Sequence, residues 1–148
     1  MTVFRGHHQN NCLRCPLVGG ARPHDEELVV LGRLRFNLKA ARSLCRDSML
    51  HRVDRPALVE WLTSVPILPE HVDHLPAGLW PGIMVTLPNG LGRPLIDGNY
   101  RAARALRDGT GFLVYVLPES QTRKLLIRSM GRAVANQLWN RLRDFNQR

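Results

Sequence analysis

RPLIDGNYRAARAL (residues 93–106), running on into RDGTGFLVYVL (residues 107–117), is the stretch on which the fold turns. Leu95-Ile96 is a strand entry, and Asp97-Gly98-Asn99 breaks the extended run with residues that tolerate a turn. A helix follows whose Ala102, Ala103, Ala105 and Leu106 keep one face small and apolar, and Gly109 supplies its stop. Residues 112–117 are then the most continuous strand pattern in the chain. Strand, glycine turn, helix and strand in succession predict an α/β (α+β) domain. Its small mixed sheet would carry a strand-Gly-loop-helix turn and be flanked by helices.

The outward reading agrees. Upstream, GIMVTLP (82–88) reads as a strand, and the Asn89-Gly90 pair between it and residues 93–97 predicts an antiparallel hairpin. RPALVEWLTSV (55–65) is a helix with Asp54 as cap and Pro56 in its first turn; its stripe is Leu58, Trp61, Leu62 and Val65. ELVVLGRLRFNL (27–38) alternates as one or two strands, and a helix is expected around 39–46. Prolines between Pro66 and Pro81 allow no more than a short helical turn at EHVDHL (70–75). Downstream, two C-terminal helices part near Gly131, the second with Val134, Leu138, Leu142 and Phe145 on one face and Trp139 beside it. The chain divides into an irregular N-terminal arm, 1–26, and one domain, 27–148, with a helical extension.

At 148 residues and 44% hydrophobic content the chain suits one ordinary core. It has no apolar run of the roughly 20 residues a membrane helix needs. The first residues lack the apolar stretch of a secretory signal, so the expected location is cytoplasmic, with no membrane partner. Three cysteines, an odd number, point to reduced thiols instead of a disulfide framework. The formal charge of +9 comes almost wholly from arginine, since Lys39 and Lys124 are the only lysines. Arginine's rigid fork suits phosphate, whereas a GC-rich coding sequence gives the same bias without any ligand.

A glycine between strand and helix leaves the first helical N–H groups converging on one place, an arrangement that binds anions. Gly98 keeps that place open, Asn99 is the expected cap, and Arg101 and Arg104, three apart, could neutralise the same anion. Asp97, beside a triphosphate, could hold Mg²⁺ through water or accept a proton, and Glu60 and Glu119 are the other candidate bases. The structural alternative is a turn that needs a positive φ, with Asp97 bonding its own backbone.

Residues 93–117 resemble the central motif of the ParB/sulfiredoxin superfamily, in which a strand leads through a G-x-x-R helix start into a small-residue helix, a glycine and a strand. Gly98 and Arg101 match its fixed positions, Ala105 the small residue, and Gly109 or Gly111 the second glycine. The resemblance spans roughly 28–126, with only this segment specific. It implies a nucleotide, ATP or CTP with Mg²⁺, cradled by Gly98, Asn99, Tyr100, Arg101 and Arg104. The implied activity is that of a phosphotransferase or NTPase, with Asp97 and Glu60 as catalytic candidates. Departures narrow the comparison. Asn99-Tyr100 stands where sulfiredoxins have Cys-His, Tyr100 where partition proteins have an arginine, and Asn99 where the kinase-like D-G-H-x-R pattern has histidine.

Two further features carry chemistry. His7, His8, Cys12, Cys15 and His24 cluster around a C-x-x-C pair. With one or two histidines it could form a small Zn²⁺ knuckle from Cys12, Cys15, His7 and His24, with Cys45 another choice; free thiols on an arm are the alternative. Arg123, Lys124, Arg128, Arg132, Arg141 and Arg143 make the last helices basic. The competing function is therefore a DNA- or RNA-binding or nuclease-associated module that grips backbone phosphates with these helices and the same turn.

Overall fold

The computed structural model describes residues 2–4, 28–48, 50–63 and 81–145. The proposed zinc ligands Cys12, Cys15, His7 and His24, and the EHVDHL segment, lie outside the described residues. Strands β1 (Thr2–Phe4), β2 (Leu28–Leu31) and β3 (Leu34–Asn37) form an antiparallel sheet in that order. Residues 2–4 were expected to be irregular; they are extended because the open edge of β2 offers their backbone partners, Thr2 opposite Leu31 and Phe4 opposite Val29.

Asn37 ends β3 and caps helix α1 (Leu38–Leu44), its Oδ1 accepting from the Ala40 N–H at 3.0 Å. A single 3₁₀ turn, Cys45–Asp47, leads to β4 (Leu50–Val53). Helix α2 (Arg55–Leu62) starts as its sequence predicts, the Asp54 carboxylate accepting from the Ala57 N–H at 3.1 Å with Pro56 in the first turn. Strands β5 (Gly82–Val85) and β6 (Leu95–Asp97) pair antiparallel. Their link is a longer loop than a two-residue hairpin: Pro88–Gly90 makes a 3₁₀ turn with Asn89 at φ 60°, and the Leu87 N–H closes onto Gly92 O. Helix α3 (Asn99–Asp108), strand β7 (Phe112–Leu117), helix α4 (Glu119–Met130) and helix α5 (Arg132–Arg143) complete the chain. Gly131, at φ 87° and ψ 153°, turns α4 into α5 in a conformation essentially confined to glycine.

The central sheet is mixed, in the order β4-β7-β5-β6, with β5 and β7 parallel and the other pairs antiparallel. Alternation along β5 divides the core in two. Ile83 and Val85, with Ile96 and Leu117, pack against Phe36, α1 and the buried Leu125 and Leu126 of α4. Met84, with Leu95, Phe112 and Val114, packs against Leu58 of α2 and Ala102 and Ala105 of α3. With both faces covered, every residue of β5 is buried. In α5 the inward face is Ala135, Leu138, Trp139 and Leu142. Val134 and Phe145, expected inside, are exposed: the buried Ala135 and Trp139 set the inward face, which turns Val134 toward solvent, and Phe145 lies past the last helical residue, Arg143.

Candidate functional site

The Asp97 turn exists as a strand-glycine-helix junction, and its glycine is closely packed. Gly98 sits at φ 100°, and a side chain there would stand 3.0 Å from Arg101 Nη2, 3.1 Å from the Gly82 Cα and 3.2 Å from Phe112 Cζ. The glycine is thus needed for the close approach of β6 to β5 and of the Phe112 ring. Arg101 folds back over the turn. Its Nη2 lies 3.2 Å from Asp97 Oδ2 and 3.5 Å from the Pro81 carbonyl, and Asp97 is also 3.7 Å from Arg42 Nη2. Asp97 Oδ1 and Arg101 Nε are buried without a hydrogen-bond partner among the described residues. An anion entering here would have to displace a buried carboxylate from its own guanidinium.

The remaining members of the expected cradle are likewise engaged elsewhere. Asn99 is buried as the first helical residue, and its Nδ2 donates back to Leu95 O at 3.4 Å instead of capping the helix. Tyr100 is buried. Arg104 points along the helix to Asp108, 3.3 Å away, so it does not share an anion with Arg101. Glu60 is on the exposed face of α2, whose Leu58 contacts the core. Asp97 pairs with Ile83, which puts the turn at the amino end of β5. Cys45, weighed as a zinc ligand, is a buried core thiol, with its pKa pushed up to about 11 by burial and then by the Asp97 charge. Among the described residues no cluster of three or more His, Cys, Asp or Glu side chains could hold a metal.

At the opposite, carboxyl end of the parallel pair is a groove of about 880 Å³. Thr86 follows β5 there and Pro118 and Glu119 follow β7, the location at which open α/β sheets bind ligands. Helix α4 forms one wall. Its buried Thr122 accepts from the Thr86 N–H at 3.0 Å and donates to Leu117 O at 3.1 Å, tying the helix to both strand ends. Ser129 accepts from the Asn37 N–H at 2.8 Å and donates to Leu125 O at 2.7 Å, fixing the other end to β3. With Thr122, Leu125 and Ser129 turned inward, Gln121, Lys124 and Arg128, spaced i, i+3 and i+7, face the groove.

Other elements complete the charge. Arg93 comes from the β5–β6 loop and His51 from β4, while Ser43 and Ser48 flank the end of α1. Among the described residues that line the groove, Glu119 is the sole carboxylate. Lys124 and Arg128 belong to the basic set read from the sequence, and Glu119 was a candidate base. His51, Arg93, Ser43 and Thr86 were missed, since no local motif links them. Arg123 is taken up by Asn136 Oδ1, at 3.1 and 2.9 Å from its Nε and Nη2, and Arg143 by Asp144 at 3.2 Å. No helix among the described residues is long and apolar enough to cross a membrane.

Fold and groove together define a mixed-sheet α/β protein with a basic cleft at the carboxyl ends of its parallel strands. Comparison of the chain with protein-family descriptions, curated proteins and solved structures gives no match to any of them.

Proposed function

We propose that this chain binds a phosphate-bearing ligand of nucleotide size in the groove between α1 and α4. The observation that carries the reading is the convergence of Arg93, Lys124 and Arg128, from two separated segments, on one concavity that His51 also lines. Its volume of about 880 Å³ falls in the range typical of ligand pockets. The amino end of α4, a helix of 12 residues, opens onto it and adds a partial positive charge. ATP or CTP, the nucleotides implied by the ParB/sulfiredoxin resemblance, remain the ligands to try first, with their phosphates placed at the groove and not at Gly98. Binding, not turnover, is the function proposed.

Fluorescence anisotropy with labelled ATP and CTP tests it. Each exposed cation removed from a partly open site should weaken binding by about 1 kcal/mol, so Lys124→Ala with Arg128→Ala should weaken it about 30-fold. Arg141→Ala, outside the lining, should leave it unchanged. No binding at millimolar nucleotide, or equal affinity in the double variant, contradicts the reading.

A nucleic-acid partner is the second reading, favoured by exposed Arg132 and Arg141 on α5, which add to the cations of α4. On that reading a polynucleotide binds with affinity falling linearly in log salt, by about 0.9 per phosphate contact, and Arg141→Ala weakens it. A salt series with the same variants separates the two.

A further inference from the structure

Resting on the reading of the groove as a phosphate site, we infer that it is a metal-free polyphosphate site, one that reads the phosphate chain and is indifferent to the base attached. The inventory of its wall carries this. Among the described lining residues Arg93, Lys124 and Arg128 bring three formal positive charges against the single carboxylate of Glu119, and His51 adds a ring N–H that can donate to an anion. A nucleoside triphosphate carries about four negative charges when free and about two once magnesium is bound, so the divalent ion removes half of what the groove attracts. It would also be seated among cations, with Glu119 the one anionic ligand among the described lining residues, whereas magnesium sites in phosphate enzymes supply carboxylates that face the ion.

Base indifference follows from what the wall lacks. Nucleobases are held by stacking on aromatic faces, and of the groove's described lining residues only His51 presents an aromatic ring. The remaining lining is aliphatic or small and polar: Leu44 and Val116, and the hydroxyls of Ser43, Ser48 and Thr86. Hydroxyls and the amide of Gln121 donate to phosphate oxygens as readily as to a base edge. The long, separate cations suit an extended chain of phosphoryl groups better than one compact monophosphate, because Arg93 and the α4 pair approach from different elements. Inorganic polyphosphate, a nucleotide tail and a nucleic-acid backbone share this chemistry, and the probes tell them apart.

The test is titration calorimetry on the whole chain with tripolyphosphate, ATP, CTP, AMP and a short oligonucleotide, each in chelator and in excess magnesium at matched ionic strength. Tripolyphosphate, ATP and CTP should bind within about threefold of one another, AMP at least tenfold more weakly, and magnesium should weaken the triphosphates about tenfold. Arg93→Ala and Lys124→Ala, both at exposed positions, should weaken all three tight ligands by the same factor while circular dichroism stays that of the parent. Magnesium-dependent binding, or ATP or CTP binding without tripolyphosphate binding, overturns this inference but keeps the groove as a nucleotide site. Preference for the oligonucleotide over tripolyphosphate also overturns it, in favour of a polynucleotide track. Failure of every anion to bind overturns the groove reading as well.

Discussion

Replacing Gly98 by alanine measures whether the Asp97 turn is a packing junction or an open cradle. The added methyl would meet Arg101 Nη2 at 3.0 Å, the Gly82 Cα at 3.1 Å and Phe112 Cζ at 3.2 Å. Two of these neighbours are held by the sheet and cannot yield cheaply, and forced overpacking of this kind costs about 1–3 kcal/mol. The backbone adds its own term, since φ of 100° is unfavourable for any residue with a Cβ, by about 1–2 kcal/mol. Together they predict a loss of about 2–5 kcal/mol, a large share of the stability of a domain this size. Gly32→Ala is the control: φ is also positive, at 59°, but no described residue lies within 4 Å of the new methyl. Urea denaturation of both variants should therefore show Gly98→Ala less stable than Gly32→Ala by about 1–4 kcal/mol at unchanged m-value, the difference being the packing term and the extra backbone cost of φ 100° over 59°. Equal losses would mean that the space beside Gly98 is free, and the turn would again be available to an anion.

The other predictions concern the groups buried around that turn. Asp97→Ala leaves the Arg101 guanidinium buried without its carboxylate and should cost about 3–5 kcal/mol, while Asp97→Ala with Arg101→Met should recover part of it. A double variant no better than the sum of the singles would show that the 3.2 Å pair is not coupled. Because the Cys45 pKa is raised in the folded state from 9.0 to about 11, the native chain holds a proton there that the unfolded chain releases; stability is intact below pH 9 and falls as pH rises through that window. Urea midpoints across it should drop more steeply in the parent than in Cys45→Ala, and parallel slopes would refute the assignment.

The sequence made the segment from β6 to β7 legible because each signal there is local: a strand run, a glycine with positive φ, small helix residues and Gly109 closing α3. The same holds for Asp54 and Pro56 at α2 and for Gly131 between the last helices. Strand β4 was not legible, since only Val53 of its four residues is buried, so it has no apolar alternation to read. Losing β4 also lost His51. Whether the glycine turn binds an anion or packs against its neighbours depends on Gly82 and Phe112, which lie outside the turn. A G-x-x-R pattern reads identically in both cases. The groove was invisible for a related reason: its cations come from a loop and a helix, and its hydroxyls and His51 from other elements, gathered only when β5 and β7 pair in parallel.

The most direct test of the account is amide chemical-shift mapping with tripolyphosphate. Perturbations concentrated at Ser43, Ser48, His51, Thr86, Gln121, Lys124 and Arg128, with Gly98 to Arg104 unmoved, are the expected result. Shifts centred on Gly98 and Arg101, with the groove silent, would contradict it.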